Sequence, residues 1–289
     1  MVYEAPEYHP AFEEYCETIF ELAEDDFDVI QARIAERLDI SRPAVSEMIR
    51  RMEKEGLVSI DDAGISLTGD GQDIAVSVVR RHRLAERFLT DLLGLSWTDA
   101  HHEAGKWEHV ISPVVEIALE RLLGMPTTCP HGNPIPGSSY LEPDTRHLAD
   151  VAVGDAFTVN RITEELEFTE GMLDFLEGSA LVPGNRGMVT AASPDGTVTV
   201  EIQDRHVGVG SFAAERINPF VFGKLEKGLR EHYALSDEGM LSFSVHASPA
   251  SCPGFSSASR RAAARVAFSP SRAQGLCPAS ASSDTTSPL

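Results

Sequence analysis

Apolar residues recur every three or four positions through the first part of the chain, a spacing that predicts amphipathic helices. Ser41 is expected to cap the last of these helices, with Pro43 in its first turn. The segment "LVSIDDAGISLT" that follows predicts two short strands around a turn. Three helices and a hairpin are typical of a winged helix-turn-helix. The helices are predicted at about 12–23, 29–38 and 42–55.

Beyond this hairpin the pattern predicts longer helices and then strands. Thr68 is expected to cap a long helix, Thr98 to begin a second and Pro113 a third. Residues 124–143 are rich in proline and glycine, which predicts a linker. From about 149 to 220, short alternating segments separated by glycines predict a small β-barrel.

The composition bounds the class of protein. With 289 residues, 42% of them hydrophobic, the chain is long enough for two or three cores. It has no apolar run of membrane-spanning length and no signal-peptide pattern at its start, so we expect a cytoplasmic protein without membrane contact. Four scattered cysteines argue against a disulfide framework or a thiolate zinc site. The serine- and alanine-rich segment after about residue 243 is predicted to be disordered.

The net charge of −21 leaves the kind of partner open. An acidic surface normally repels nucleic acid, and it would suit an acidic enzyme. It would also suit a halophile-like protein, because in molar salt the Debye length falls to about 3 Å and only close contacts count. Since DNA is bound by a local basic face, the overall charge does not exclude a DNA-binding protein.

The third predicted helix carries such a face. Val45, Met48 and Met52 recur at core spacing, and the opposite side is polar and basic. In a helix-turn-helix this helix enters the major groove, while Arg and Lys hold phosphates. The alternative is an ordinary solvated charged face. The hairpin that follows argues against it, because it stands where a winged helix has its wing. The candidate DNA-binding residues are Arg33, Ser41, Arg42, Pro43, Ser46, Glu47, Arg50, Arg51 and Lys54.

Histidines and glutamates are spaced so that they share helix faces. His82 and Glu86 are four residues apart, and Glu14 and Glu17 three apart, so each pair lies on one face. A further set spans about 100° of the next helix: His101, Gly105, Glu108 and His109. These groups could bind a first-row metal ion or pair as salt bridges. His102 lies at the edge of this face. Cys129 and His131 could form another site, but the prolines and glycine around them favour a local turn.

Several stretches closely resemble the diphtheria toxin repressor family of metal-dependent transcriptional regulators. They are "TIFELAEDDFDVIQARIAERLDISRPAVSEMIRRMEKEGLV", "RRHRLAERFLTDLLGL", "HEAGKWEHVIS" and "GNPIPG", and the resemblance covers about residues 10–220. It implies a homodimer that binds double-stranded operator DNA when iron(II) or manganese(II) is sufficient. The repressor then shuts off uptake genes. Two ions per subunit are implied.

The resemblance also implies the ligands of two metal sites. The ancillary site falls on His82, Glu86, His101, Glu164 and Glu167. The primary site falls on Glu14, Gly105, Glu108 and His109. Iron-responsive members have sulfur ligands at positions 14 and 105, so Glu14 and a backbone carbonyl at Gly105 depart from them. The pair Glu14 and Glu17 resembles the manganese-responsive branch, which nevertheless has a carboxylate where Gly105 stands.

The implied architecture is of the α+β class. A winged helix-turn-helix DNA-binding domain is expected at 1–76, a helical metal-binding and dimerisation domain with its linker at 77–145, an SH3-like small β-barrel at 146–221, a helical extension at 222–243 and a tail at 244–289. Two other functions remain open. One is a winged-helix protein that binds DNA constitutively and has a purely structural metal, and the other is a metal-dependent hydrolase, although no nucleophile-plus-base arrangement is evident.

Overall fold

The structure is a computed structural model that describes residues 10–62 and 64–224. The N-terminal part, here called the head, has three helices and an antiparallel hairpin, as predicted. Val45, Ile49 and Met52 form the buried stripe of its third helix, whereas Met48 is only partly buried. Ser41 caps that helix by accepting from the Ala44 backbone N–H at 3.4 Å. The elements are α1 Pro10–Glu24, α2 Gln31–Arg37, α3 Arg42–Lys54, β1 Val58–Asp61 and β2 Gly64–Leu67.

A helical domain follows the hairpin. It contains α4 Gly69–Arg87, a π-helical turn at Phe88–Leu92, α5 Trp97–Trp107 and α6 Pro113–Leu122. Thr68 caps α4, as expected. The expected start of α5 at Thr98 is wrong by one residue, because Ser96 is the cap and accepts from the Asp99 backbone N–H at 3.2 Å. The Thr98 hydroxyl instead bonds Asp174 at 2.6 Å.

The C-terminal domain is built on a five-stranded antiparallel sheet in the order β6-β5-β4-β3-β7. Register shifts in β3 and β4 bend the sheet. The α+β class is therefore confirmed. The elements are β3 Asp155–Ile162, α7 Glu164–Glu167, α8 Met172–Gly178, β4 Arg186–Ala192, β5 Val198–Ile202, β6 Arg205–Val209, α9 Ser211–Ala214 and β7 Ile217–Lys224.

The structure tests only the beginning of the two segments expected after residue 221. Residues 222–224 complete β7, where Lys224 pairs with Asp155, so they do not begin a helical extension. The rest of that extension and the predicted tail at 244–289 lie outside the described residues. The first expected domain boundary, between 76 and 77, falls inside α4. No helix in the described part of the chain is long and apolar enough to cross a membrane.

Charged side chains are buried where the head, the helical domain and the C-terminal domain meet. Each of these parts has its own apolar cluster. Between the clusters lie carboxylates, imidazoles and guanidinium groups that are less than a tenth exposed, and charges are buried only where they are paired or bind ions. The set includes Glu17, Glu21, His82, Arg83, Glu86, Glu108, His131, Arg161, Glu164 and Glu167.

Candidate metal centre and DNA-reading face

A cavity of about 660 Å³ is lined by residues of α1, α4, α5, α7 and α8. Its walls are strongly acidic and come from the head, the helical domain and the C-terminal domain. Eight of the ten expected ligands meet near this cavity or directly behind it. Those on its wall are Glu14, Glu17, His82, His101, Gly105, Glu108 and Glu167, with Glu86 behind them.

The pairing of α4 with α5 joins the ligands that the spacing predicted. One oxygen of Glu86 lies 3.2 Å from His82 Nε2 and 3.1 Å from His101 Nδ1. Glu86 is 1% exposed. Burial alone would raise the pKa of Glu86, but His131 and His82 outweigh it and hold the pKa well below its usual range. A carboxylate that stays ionised between imidazoles is a suitable metal ligand.

Cys129 and His131 belong to this cluster, although the sequence favoured a local turn over a site for them. His131 Nδ1 is 2.8 Å from Glu167 and 3.6 Å from Glu86, and Cys129 Sγ is 3.8 Å from His131 Nδ1. The predicted turn is present, since the Gly132 N–H donates to the Cys129 carbonyl. A Cβ at Gly132, whose φ is +94°, would lie 2.2 Å from the Asn160 carbonyl oxygen. The turn therefore packs tightly on β3, which turns both side chains inward.

Glu164 and Glu167 face different partners. Glu167 lies 3.4 Å from His101 and joins the imidazoles. Glu164 accepts from Arg83 at 2.7 Å, and its second oxygen is buried without a hydrogen-bond partner among the described residues. Burial and then Glu167 raise the pKa of Glu164 well above its usual range. We define the inner set as Glu86, His101, Cys129, His131 and Glu167.

The second group of expected ligands lies nearer the head and is less complete. Glu108 accepts from His82 Nδ1 at 2.5 Å and lies 3.2 Å from His109 Nε2. Glu14 is exposed, and His109 Nδ1 instead contacts Glu13 at 2.7 Å. We define the outer set as Glu14, Glu17, Gly105, Glu108 and His109, with His82 between the two sets.

Glu17 is the buried head residue of the outer set. It is 8% exposed, and its Oε1 has no hydrogen-bond partner among the described residues. Burial and then Glu108 raise the pKa of Glu17 well above its usual range. Its carboxylate, His82 and Glu108 offer three ligand atoms within 4.8 Å of one another.

The chemistry of both sets fits a divalent ion. Glu17 Oε1, Glu86 Oε2 and His131 Nε2 are buried polar atoms without hydrogen-bond partners in the described part of the chain. Such atoms are rare in folded proteins unless a water or ion serves them. Mixed imidazole, carboxylate and thiol donors suit first-row divalent metals. Two further triplets, His82–Glu86–His101 and Glu86–Cys129–His131, also keep their ligand atoms within 4.8 Å.

The candidate DNA-binding residues are Ser41 at the start of α3, seven residues of α3 itself and Arg33 of α2. Most are exposed, namely Ser41, Arg42, Pro43, Glu47, Arg50, Arg51 and Lys54, while Ser46 and Arg33 are partly exposed. Two of the arginines also stack on aromatic rings of the head. Arg33 lies 4.7 Å from the centroid of Phe27 and Arg51 4.8 Å from that of Phe12. Arg50 projects without such a contact in the described structure.

Two family models match consecutive segments of the chain. The one described as "Iron dependent repressor, N-terminal DNA binding domain" matches residues 8–63. The one described as "Iron dependent repressor, metal binding and dimerisation domain" matches residues 68–137. The first segment covers α1 to β1 of the head, and the second covers α4 to α6 and the turn that carries Cys129 and His131.

Similar proteins and structures point the same way. The iron-dependent repressor IdeR of Mycobacterium tuberculosis is 40% identical over 202 residues, which are 66% of this chain and 87% of that protein. The diphtheria toxin repressor of Corynebacterium diphtheriae is 48% identical over 130 residues, 45% of this chain and 58% of that protein. A solved manganese-dependent transcriptional repressor in complex with manganese has a TM-score of 0.66 and 32% identity, covering 73% of this chain and 100% of that one. The crystal structure of T. acidophilum IdeR has a TM-score of 0.61 and 27% identity, covering 73% of this chain and 97% of that one.

Proposed function

We propose, from the premise that this chain belongs to the iron-dependent repressor family, that manganese(II) or iron(II) switches its affinity for operator DNA. Membership makes it a metal-dependent, DNA-binding transcriptional repressor and not an enzyme, so the hydrolase alternative is removed. The proposal concerns the finer points: the ion, its two sites, the dimer and the regulated genes. Repression of metal-uptake genes, exerted in the cytoplasm where the DNA is, would make the switch a homeostatic one.

The observation that carries the proposal is that head residues share a cavity with the helical domain. Glu14 and Glu17 are on α1, whereas Glu108 and His109 follow α5. A divalent ion would supply the positive charge that lets these carboxylates remain ionised side by side. If these four side chains bound one ion, they would connect the head to the helical domain. Because α1 shares an apolar cluster with α2 and α3, a movement of α1 would also move those two helices. Ion binding and head orientation are thereby linked.

The inner set supports a second ion. Its residues come from α4, α5, the 129–133 turn and α7, so it joins the helical domain to the C-terminal domain. The expected ligand Glu164 is held by Arg83, while Cys129 and His131 offer a thiol and an imidazole beside Glu86. We therefore add Cys129 and His131 to the candidate ligands of this site.

Oxygen ligands at the outer set favour manganese(II) over iron(II). Glu14 and the Gly105 carbonyl stand where sulfur would favour softer ions, and carboxylate and carbonyl ligands suit manganese. Gly105 lines the cavity with no atom within 4 Å of where a Cβ would be. That space leaves room for a bound water or a larger ligand shell.

A homodimer is proposed because apolar side chains are exposed around α6. Contiguous exposed apolar surface on a soluble protein commonly marks an interface, and the segment lies within the match to a dimerisation domain. Two heads held about one helical turn of DNA apart would read both halves of an operator. The exposed residues are Leu92, Leu93, Val110, Val114, Val115, Ile117, Leu122 and Met125.

The test measures binding to a duplex from the protein's own upstream region at fixed salt. Manganese(II), and iron(II) without oxygen, should each raise affinity at least tenfold over chelator, about 1.4 kcal/mol. Arg50→Ala should weaken DNA binding by about 1–3 kcal/mol at saturating manganese because a groove contact is lost. Metal binding and dimer mass should be retained in this variant. Equal affinity with chelator and with metal would instead support the constitutive alternative with a structural metal.

A further inference from the structure

Arg161 joins three parts of the chain that are distant in sequence. It lies near the end of β3, where the pairing with β7 shifts register between Val159 and Arg161. Its Nε donates to Asn133 in the linker turn at 2.5 Å, and its Nη2 donates to Asp25 at 2.6 Å. The same nitrogen lies 3.4 Å from Glu24. Glu24 is the last residue of α1 in the head, and Asp25 follows it directly.

This contact is buried, which distinguishes it from an ordinary surface ion pair. The side chain of Asp25 is 0% exposed and that of Arg161 10%. Removing Arg161 would leave the Asp25 carboxylate buried without its guanidinium partner, which is costly for a charge held away from water. Surface pairs, by contrast, contribute little.

The same end of α1 is held from a second direction. Arg83 of α4 donates to both oxygens of Glu24, at 3.0 and 2.5 Å, and to Glu164 of α7 at 2.7 Å. Glu24 therefore lies between an arginine of the helical domain and Arg161 of the C-terminal domain.

Two arginine–aromatic contacts also cross from the head to the C-terminal domain. The guanidinium carbon of Arg37, on α2, lies 4.3 Å from the centroid of Phe168, just after α7. Arg216 of the C-terminal domain lies 5.6 Å from the centroid of Phe27 in the head. These contacts are close enough for a favourable cation–π interaction.

We infer that the C-terminal domain clasps the head through Arg161 and Asp25, and that this clasp positions α1 for metal-dependent DNA binding. Glu17 lies seven residues before Glu24, about two helical turns along the same helix. A rigid helix held at Asp25 presents Glu17 and Glu14 to the cavity in a defined position. Arg161 is thus a positioning residue, because its hydrogen bonds and ion pairs are with Asn133, Asp25 and Glu24 and not with the inner or outer set. The role of this contact in metal-dependent DNA binding rests on the proposed function above.

The contact is tested first without metal or DNA, by hydrogen exchange on the full chain. Arg161→Ala and the nearly isosteric Asp25→Asn should each speed amide exchange over residues 24–30 at least fivefold. Arg161→Lys should restore part of the protection. Arg205→Ala is the matched control, because Arg205 is an exposed arginine of the same domain that donates to the Gly178 carbonyl. Unchanged exchange in both Arg161→Ala and Asp25→Asn would overturn the clasp.

The positioning role is tested by manganese(II) titration of binding to the upstream duplex. In Arg161→Ala and Asp25→Asn the manganese midpoint should rise at least threefold, while affinity at saturating manganese stays within twofold of the parent chain. A loss of affinity at every manganese concentration, or faster exchange with an unchanged midpoint, would overturn the positioning role. If the parent chain does not respond to metal, the proposed switch fails, and the exchange experiment still decides whether the clasp exists.

Discussion

The inner and outer sets use similar side chains but are held in different ways. The inner set draws on α4, α5, the linker turn and α7, and its carboxylates Glu86 and Glu167 are at most 5% exposed. The outer set draws on α1 of the head, and its Glu14 is exposed while His109 contacts Glu13 instead. A set assembled before the ion arrives stabilises the fold, whereas a set that includes head residues and is not yet assembled can change the orientation of the head when the ion binds. The outer set is therefore the better candidate for the switch.

The largest expected effect comes from removing the central carboxylate of the outer set. Glu108 contacts both His82 and His109, so Glu108→Ala removes the group that connects them. We expect activation of DNA binding by manganese(II) or iron(II) to disappear, a loss of at least the tenfold gain, or about 1.4 kcal/mol. The measurement is duplex affinity with and without metal.

The matched control for that variant is Glu103→Ala. Glu103 lies on α5 and pairs with Lys106 at the surface, with its side chain 41% exposed. This variant should retain full activation. An unaltered metal response in Glu108→Ala would show that the outer set is not the switch.

A smaller effect is expected from the inner set. His131→Ala removes an imidazole between Glu86 and Glu167. We expect the manganese midpoint for DNA binding to rise on the order of tenfold, as is usual for groups that support a metal site, with full activation at saturating metal. His102→Ala, which removes an exposed imidazole bonded to the Thr98 carbonyl, should leave the midpoint unchanged. Loss of activation at saturating manganese in His131→Ala would erase the distinction between the sets.

The smallest expected effect is that of pH on manganese affinity. Its size depends on how many protons the ion must displace. Burial opposes protonation of His101, but Glu167 and Glu86 outweigh it and raise its pKa to about 9. The pKa of His131 is also raised well above its usual range, since Glu167 and Glu86 outweigh burial there as well. An imidazole with a raised pKa keeps its proton to higher pH, and a ligating nitrogen must lose that proton. Apparent manganese affinity should therefore rise with pH.

Between pH 6.5 and 7.0 each displaced proton should contribute about a threefold gain in affinity. Calorimetric titrations in buffers of different ionisation enthalpy measure that number directly. His131→Ala should release fewer protons per ion than the parent chain. An affinity independent of pH would mean that these imidazoles do not bind the ion.

Local signals in the sequence determined the elements well. Ser41 and Thr68 cap their helices because a hydroxyl near a helix start can satisfy a free N–H within three residues. Likewise, His82 and Glu86 share a face because four residues make one turn. The head, the face of α3 and the glycine-separated strands follow from such short-range rules. Ser96 was missed as a cap because Thr98 offers the same chemistry two residues later.

What joins the parts was decided only by tertiary structure. Position 14 carries the carboxylate that the family resemblance points to, yet Glu13 is the one that contacts His109. Cys129 and His131 follow turn-forming rules locally, and their place beside Glu86 depends on how closely Gly132 approaches β3. The bond from Arg161 to Asp25 spans 136 residues. Periodicity carries no information over such separations, because these contacts form only once three cores have packed and their charged borders must be neutralised.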